Sequence, residues 1–353
     1  MNGLLVIDKP AGPTSHDVVN RMRRALGERR IGHAGTLDPA ATGVLVLLVG
    51  RATRLAQFLA GSDKTYDALI SLGTRTDSGD ADGTPVGARY EGPLPSRDAV
   101  ERAVGEFRGP FSQRPPAFSA KHVGGTRSHR IARSARQAGT AIAEEALPDP
   151  VQVVGHRIEV VSVDGSDVRL EVECSAGFYV RSLAQDLGDR LGTGAHLGSL
   201  RRVRSGDFGL DTALPLDEAE REPARAAGAI LPMASALPRL PAVTLTAEGL
   251  RRVLHGRDVG PAEIVNPIAS ACGHTERPFG ALRVDPSEAE GRGPDEPERG
   301  ISVSMRWGWG RSASGKKVDE ADRLRLVDGT GQLVAIGEPA RTPGLLHPLV
   351  VLG

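Results

Sequence analysis

The sequence predicts an α+β fold, in which helices flank a mixed sheet and a small β domain follows. Residues 44–49 form an unbroken apolar run of the kind that a buried strand needs. Residues 15–26 space their apolar side chains as one face of a helix does. Residues 151–163 and 168–174 alternate polar and apolar side chains around an Asp-Gly pair, which predicts a β-hairpin.

The bulk properties narrow the class of protein. With 353 residues the chain is long enough for two domains. Its formal net charge is +0, so the total charge does not indicate a nucleic-acid partner. Only local clusters of basic residues can do so. Cys174 and Cys272 are too few for a disulfide framework or a zinc site, and we expect free thiols in a reducing cytoplasm. Met1 leads straight into an apolar stretch and no apolar run could span a bilayer, so we expect neither a signal peptide nor a membrane segment.

The N-terminal residues predict a strand followed by a helix. Residues 4–7 are apolar and predict a strand. Thr14 or Ser15 offers an N-cap for the next helix, and Gly27 suits its C-terminal end. Five arginines lie on or just after this helix. A solvated helix face is the simplest interpretation, but their position before the next loop favours contact with phosphates. They are Arg21, Arg23, Arg24, Arg29 and Arg30.

Residues 32–43 are the stretch around which the sequence is organised. Three glycines and a proline exclude a helix or a regular strand and predict a shaped loop. Pro39 drives Asp38 towards an extended conformation, shortly before the apolar run of residues 44–49. A carboxylate on a stiff loop beside a rigid strand is typical of a catalytic position. The alternative is an ordinary turn closed by glycines.

The run Gly32-His33-Ala34-Gly35-Thr36-Leu37-Asp38-Pro39 resembles the signature of the TruB family, the bacterial tRNA pseudouridine-55 synthases. The resemblance implies a pseudouridine-synthase-like fold with a mixed, largely antiparallel sheet. It also implies that Asp38 is the nucleophile and that His33 occupies the space the target base vacates. Gly35 and Thr36 are implied substrate contacts.

Two later stretches resemble further motifs of the same family. Lys64-Thr65-Tyr66 and the acidic turn after it imply that Tyr66 stacks on the target base. The aspartates of that turn lack the closing glutamate of an EF-hand, so we exclude calcium there. Residues 175–188 imply that Tyr179 and Arg181 line the pocket, with Arg181 paired to Asp38.

The pattern over residues 194–208 also fits the family and implies Arg202 as a substrate contact. A third motif, Gln113 to Ala120, fits less well. Where the family has tyrosine, lysine and tyrosine, this chain has Phe118, His122 and His129. Residues 134–140, which are rich in alanine and glycine, are expected to belong to a mobile basic loop.

Composition divides the chain into two domains. We expect a catalytic domain over residues 1–235, followed by a proline- and alanine-rich linker. Residues 241–353 predict a small β domain, which the resemblance implies is PUA-like and binds RNA. Within it, residues 267–319 are poor in aliphatic side chains and predict a flexible insertion. Trp307 and Trp309 in this insertion could stack on bases.

Converting uridine to pseudouridine breaks the glycosidic bond, turns the base and rejoins it through C5. The reaction needs a nucleophile, an acceptor for the C5 proton and a closed pocket, but no cofactor and no metal. Asp38 could attack the sugar or the base, or trigger elimination, and the residues leave these routes open. The target base must leave its stack first. Tyr66 could stack on the uracil or help to remove the C5 proton.

The predicted function is therefore isomerisation of uridine-55 in the T stem-loop of tRNA by a monomeric, cytoplasmic enzyme. The alternatives are a pseudouridine synthase for another RNA and a non-catalytic RNA-binding or RNA-folding protein. Paired carboxylates of a glycosidase, such as Asp38 with Asp8, are a further alternative. That chemistry would leave the basic clusters unexplained.

Overall fold

The computed structural model describes residues 1–138, 140, 146–268 and 323–353. They form two compact units, Met1–Ala236 and Leu237–Gly353. Almost all of the predicted insertion lies outside the described residues, together with Trp307, Trp309 and Cys272. In the described parts of the chain, no helix is long and apolar enough to cross a membrane.

The first unit contains fourteen strands and seven α-helices among its described residues. The strands are β1 (Gly3–Lys9), β2 (Ile31–His33), β3 (Thr42–Val49), β4 (Lys64–Leu72), β5 (Arg75–Thr76), β6 (Pro85–Val86), β7 (Gly109–Gln113), β8 (His122–Val123), β9 (Thr126–Arg127), β10 (Val151–Asp164), β11 (Asp167–Cys174), β12 (Ala195–Ser205), β13 (Phe208–Gly209) and β14 (Leu214–Pro215). The helices are α1 (Ser15–Leu26), α2 (Ala56–Ala60), α3 (Arg97–Gly105), α4 (Ser128–Ala138), α5 (Val180–Arg190), α6 (Leu216–Arg221) and α7 (Pro223–Gly228).

A ten-stranded mixed sheet forms the body of this unit. Its main path runs β14-β1-β3-β12-β4-β11-β10-β7, with β2 paired to β3 and β13 paired to β12. The β1–β14 and β3–β12 pairs are parallel, and the other pairs are antiparallel. The predicted α+β fold with a mixed, largely antiparallel sheet is therefore confirmed.

Local sequence explains how α1 is placed. The Thr14 hydroxyl accepts a hydrogen bond from the Asp17 amide, and the Asp17 carboxylate accepts one from the Thr14 amide, which closes a capping box. Gly27 ends the helix in the left-handed conformation, with φ 61°. Val18 and Met22 are buried in the main core. The predicted helix and both of its ends are confirmed.

The predicted hairpin is also confirmed, because β10 and β11 pair antiparallel up to Asp164 and Asp167. Residues 134–140 differ from the prediction. They were expected to be a mobile loop, but α4 continues to Ala138. Ala132 is buried on the inner side of this helix, and the outer side carries exposed arginines. An amphipathic face explains why this alanine-rich stretch is helical.

The apolar core of the first unit lies between the sheet and the helices α1, α3 and α5. The helices contribute Val18, Val19, Met22, Val100, Ala103, Val104, Leu183, Ala184 and Leu187. Because these helices bury apolar faces on strands of the same sheet, the loops between them are held at fixed positions.

The second unit is a five-stranded sheet with one α-helix among its described residues. The elements are β15 (Ala242–Leu245), α8 (Ala247–Leu254), β16 (Ile264–Ile268), β17 (Leu324–Val327), β18 (Leu333–Pro339) and β19 (Leu346–Val351), in the strand order β16-β15-β17-β18-β19. The small C-terminal β domain is therefore confirmed as part of the fold class. The domain also contains the helix α8, between β15 and β16. Thr246 caps this helix, and its inner face buries Gly249 and Val253.

Candidate active site

Asp38 lies in the loop between β2 and β3, which we call the Asp38 loop (residues 34–41). Buried hydrogen bonds hold its backbone. The Ser15 hydroxyl donates to the Leu37 carbonyl at 3.0 Å and accepts from the Leu37 amide at 2.8 Å. The Ala34 amide donates to the Val46 carbonyl of β3 at 2.9 Å. The loop is therefore fixed both to the start of α1 and to the sheet.

Lys9 supports the same loop from beneath. Its side chain is 0% exposed, and its ammonium donates to the carbonyls of Pro10 and Pro39 at 2.8 and 3.1 Å. Burial lowers the pKa of Lys9 to about 8, although the Asp38 carboxylate acts in the opposite direction. Lys9 thus places a buried positive charge below the carboxylate.

Arg181 meets Asp38 from the opposite side. Its Nε lies 2.9 Å from Asp38 Oδ2, and its Nη2 lies 3.3 Å from Oδ1. Arg181 is 5% exposed, whereas the Asp38 side chain is 40% exposed. The same guanidinium donates to the carbonyls of Ser78 and Phe118 at 3.0 and 2.9 Å. Backbone contacts therefore orient the arginine, and the arginine orients an accessible carboxylate.

Tyr66 lies on β4 beside this pair and is 9% exposed. Burial raises its pKa, while the Arg202 guanidinium opposes that rise. The phenol is therefore protonated at neutral pH. It can accept a proton from C5 only if it passes its own proton on, whereas its ring is available for stacking in either case.

Tyr179 stands at the N-terminal end of α5, two residues before Arg181. The Gln113 side chain bridges its backbone, donating to the Tyr179 carbonyl at 3.1 Å and accepting from the Tyr179 amide at 2.8 Å. Burial raises the pKa of the Tyr179 phenol. Gln113 is fully buried, so this bridge fixes the entry to the helix that carries Arg181.

His33 is the last residue of β2, and Gly35 and Thr36 lie at the beginning of the Asp38 loop. Burial, and then the Arg202 charge, lowers the pKa of His33, so the imidazole is neutral at pH 7. Its Nδ1 has no hydrogen-bond partner among the described residues. Gly35 has a φ of 116°, a conformation that favours glycine. Thr36 is exposed at the tip of the loop.

Arg202, which the family resemblance implies as a substrate contact, is buried beside the Asp38 loop. Its side chain is 1% exposed, on β12. Its Nε donates to the Val44 carbonyl at 2.7 Å, its Nη1 to the Thr36 carbonyl at 3.3 Å and its Nη2 to the Gly35 carbonyl at 3.1 Å. These bonds direct the guanidinium to the inside of the Asp38 loop.

Sequence reasoning missed the residues that hold the site together. They are Lys9, Ser15, Lys64, Ser78, Gln113 and Asp80, whose Oδ2 lies 3.7 Å from Arg181 Nη1. Lys64 resembles Lys9, because it is buried and burial lowers its pKa to about 8. A lysine at the end of a buried strand, as at Lys9, was the one signal that could have drawn attention. Ser15 acts on backbone far away in sequence and leaves no local pattern. Gln113 begins the third motif, but nothing in that motif indicates its contact with Tyr179.

Of the three positions that depart from the family pattern, Phe118 contacts the site, and it does so through its backbone. Arg181 bonds the carbonyl of Phe118, which does not depend on the side chain. The ring of Phe118 instead packs under Arg136, whose guanidinium carbon is 4.4 Å from the ring centroid. His129 Nδ1 contacts the Ser119 carbonyl at 3.2 Å, and His122 lies exposed on β8.

Comparison with solved structures first defines the class. The chain is similar to the crystal structure of a Cbf5–Nop10–Gar1 complex, with a TM-score of 0.65 and 26% identity, over 99% of this chain and 85% of that one. The fold is that of a pseudouridine synthase.

Sequence comparison then defines the family. The model of the N-terminal domain of TruB family pseudouridylate synthases matches residues 23–180, and the tRNA pseudouridylate synthase B C-terminal domain matches residues 181–237. Two proteins named tRNA pseudouridine synthase B are similar to the chain. The protein from Solibacter usitatus is 45% identical over 354 residues, or 100% of both chains. The one from Mycolicibacterium paratuberculosis is 50% identical over 222 residues, 61% of this chain and 72% of its own. The chain belongs to the TruB family, and the predicted enzyme class, an isomerase, is confirmed.

Proposed function

We propose that the protein converts uridine-55 in the T stem-loop of tRNA to pseudouridine. The observation that carries the proposal is the pair formed by Asp38 and Arg181, with a half-exposed carboxylate held on a rigid loop. The relatives named tRNA pseudouridine synthase B support tRNA as the substrate.

Asp38 is the nucleophile in this proposal. Arg181 aims its carboxylate at the target nucleotide, and the backbone carbonyls around Arg181 keep the guanidinium from turning away. Because the reacting bond lies inside a stacked RNA loop, the target uridine flips into the pocket. His33, which is neutral, occupies the space that the base leaves. Gly35, Thr36 and Tyr179 contact the flipped nucleotide.

The chemistry is an internal transfer. The bond between N1 and C1′ breaks, the uracil turns while it is held in the pocket, and C5 bonds to C1′. The proton lost from C5 is balanced by the proton that N1 gains, so the reaction needs no external oxidant or reductant. Asp38 opens the sequence by attack on the sugar, attack on the base or elimination.

The exposed basic surface supports RNA as the partner. Arg24, Arg29 and Arg30 are exposed in the last turn of α1 and just before β2, and Arg130 and Arg133 are exposed on α4. Exposed guanidinium groups of this kind can contact RNA phosphates. Two of the five arginines predicted for this purpose serve the fold instead. Arg21 pairs with Glu220, and Arg23 donates to the Ile31 carbonyl.

The remaining assignments are part of the same proposal. The catalytic domain spans residues 1–235. Residues 241–353 are a PUA-like module that adds RNA affinity, and residues 267–319 are an insertion that the chemistry does not need. The enzyme acts as a monomer, in the cytoplasm, where its tRNA substrate is found.

Tritium release tests the proposal directly. The protein is incubated with tRNA that carries tritium at C5 of uracil, and with the same tRNA in which uridine-55 is replaced by cytidine. The expected result is release of tritium to water from the first substrate, with loss of the signal that belongs to position 55 in the second. Binding without release would instead support an RNA-binding or RNA-folding protein. Release from another RNA alone would support a different target.

The role of Tyr66 is tested by Tyr66→Phe, which keeps the ring and removes the hydroxyl. If the hydroxyl relays the C5 proton, the single-turnover rate at saturating enzyme falls about 100-fold. If the ring only stacks, the rate stays within about threefold of wild type. Affinity for tRNA is unchanged in both cases, because both side chains offer the same face.

A further inference from the structure

Arg202 carries a buried positive charge with no carboxylate partner. In the described parts of the chain, no aspartate or glutamate lies within ion-pair distance of its guanidinium. Its neighbours are cationic or neutral, since its charge lowers the pKa values of Lys9, Lys64 and His33. Burying an unpaired cation is costly. The three backbone carbonyls that it bonds are therefore its main compensation.

Those carbonyls connect two parts of the site. Gly35 and Thr36 belong to the Asp38 loop, three and two residues before the nucleophile proposed above. On the other side, Arg202 is paired with Tyr66 across β12 and β4. Side chains that lie directly opposite each other on neighbouring antiparallel strands are about 5 Å apart at Cβ. The Arg202 guanidinium thus lies between the Asp38 loop and Tyr66.

Close backbone contact between Gly43 on β3 and Arg202 on β12 fixes where the Arg202 side chain starts relative to the Asp38 loop. Gly43 pairs with Arg202 across β3 and β12 and has a φ of 100°. A Cβ added there would lie 2.2 Å from the Arg202 carbonyl oxygen, so no larger residue fits without displacing the strand. The strand that carries Arg202 is therefore tightly seated against the strand that follows the Asp38 loop.

We propose that Arg202 is a positioning residue, and not a substrate contact, that holds the Gly35–Thr36 turn and thereby Asp38 in register with Tyr66. The inference rests on the proposed function of Asp38 and Tyr66. Arginine is needed here because its planar fork donates in several fixed directions, whereas a lysine ammonium is a point donor that cannot reach three separate carbonyls at once. Charge alone is not sufficient for this role.

The test is Arg202→Lys, which keeps the charge and removes the fork. Arg204→Lys is the matched control, because Arg204 lies on the same strand but is partly exposed and pairs with Glu173 at 2.7 Å. The single-turnover rate at saturating enzyme and the Kd for tRNA are measured per folded molecule. We expect Arg202→Lys to lower the rate about 100-fold while the Kd stays within about threefold. The control should keep its rate within about twofold of wild type.

Three outcomes overturn the proposal. A raised Kd with an unchanged saturated rate would make Arg202 a substrate contact. An unchanged rate per folded molecule with a lowered Tm would confine Arg202 to the stability of the fold. If Arg202→Lys does not fold, Arg202→Met, whose unbranched side chain fills a similar space, takes its place. Failure of both variants to fold also overturns the proposal.

Amide hydrogen exchange gives a readout that needs no RNA and no activity. In Arg202→Lys the amides of Ala34 and Leu37, which are hydrogen-bonded in the wild-type loop, should exchange at least about tenfold faster. Amides of β10 and β11 should keep their wild-type rates. Faster exchange throughout the sheet, or no change in the loop, would contradict the inference. Failure of wild-type turnover on tRNA would overturn the proposed function and leave this measurement valid.

Discussion

The Asp38 loop and the segment from Arg114 to Ala138 both reach Arg181, but different forces hold them. The Asp38 loop is fixed by buried hydrogen bonds from Ser15, Lys9 and Arg202. The 114–138 segment ends in α4, whose Arg136 makes a partly exposed, bidentate ion pair with Asp77. Buried hydrogen bonds are costly to break, whereas surface ion pairs contribute little and weaken in salt.

The difference suggests a division of work within the site. The side that holds the carboxylate is rigid, as a nucleophile needs to be. In the 114–138 segment, the carbonyls of Ala117 and Phe118 accept hydrogen bonds from Ser128 and Arg181. The outer face of α4, which carries the exposed arginines, makes the Arg136–Asp77 ion pair, which salt screens and phosphates can replace. We therefore expect substitutions in the Asp38 loop to change the rate or the stability strongly, and substitutions in the 114–138 segment to have small effects.

The largest expected effect is that of Asp38→Asn. The amide keeps the shape of the carboxylate but is not a nucleophile, so the single-turnover rate should fall by roughly 10³-fold or more. Affinity for tRNA should stay close to that of wild type. Asp67→Asn, at a partly exposed aspartate on β4, is the control and should retain its rate. A rate within about tenfold of wild type, or about 1.4 kcal/mol of barrier, would refute the assignment of the nucleophile.

Substitution of two serines at the starts of helices allows the Asp38 loop and the 114–138 segment to be compared directly. Ser15→Ala leaves both the amide and the carbonyl of Leu37 without their buried partner and should lower the free energy of unfolding by about 3 kcal/mol. Ser128→Ala removes one bond, to the Ala117 carbonyl, and should cost about 1 kcal/mol. Urea denaturation of both variants measures the difference. Equal costs would remove the contrast between the two regions.

The lowered pKa of Lys9 predicts that the free energy of unfolding depends on pH. Its pKa is lowered to about 8 from the ordinary value of 10.5, so the folded protein releases this proton before the unfolded chain does. Between these two values unfolding takes up a proton, and stability therefore rises with pH in that window and is flat below it. Relative to Lys9→Met, wild-type protein should gain about 2.5 kcal/mol from pH 8 to pH 10.5. Lys64 is common to both proteins and cancels. A constant difference would show that Lys9 is not buried as a cation.

The smallest effect is expected at the surface ion pair. Arg136→Gln should lower the free energy of unfolding by less than about 1 kcal/mol, and the loss should shrink in 1 M salt. Asp77→Asn should behave alike, and the double variant should lose no more than either single one. The saturated rate should change by less than about threefold. If the rate fell as much as in a variant of the Asp38 loop, the 114–138 segment would have to be as rigid as that loop.

Sequence reasoning was successful where the signal is local. The glycines and Pro39 predicted the Asp38 loop, and alternation around an Asp-Gly pair predicted the β10–β11 hairpin. The contact between Asp38 and Arg181 spans 143 residues and came only from the family resemblance. Ser15 and Leu37 are 22 residues apart, and no periodicity marks such a contact. The C-terminal part of α4 was not predicted, because a stretch rich in alanine and glycine gives no clear apolar periodicity. The buried face of the helix at Ala132 could not be recognised from the sequence.

The distinction between Arg181 and Arg202 could not be predicted for a related reason. Both are arginines in motifs of the family, and both were expected to face the pocket. The structure turns Arg181 towards the accessible carboxylate and Arg202 towards carbonyls beneath the loop. Arg202 lies on β12, where the direction of a side chain depends on the strand register and a shift of one residue reverses it. Arg181 lies in the first turn of α5, so its direction depends on how that helix is placed.

The place of β12 in the sheet has a consequence for how the protein folds during synthesis. β12 lies between β3 and β4, although 158 residues separate Thr42 from its partner Leu200. Until β12 has left the ribosome, β3 and β4 each present an open edge, which is a hazard for aggregation. Pairings so distant in sequence are slow to form. Asp38 and Tyr66 are joined only when this late strand inserts, so a chain truncated before Ala195 would have both residues but no active site.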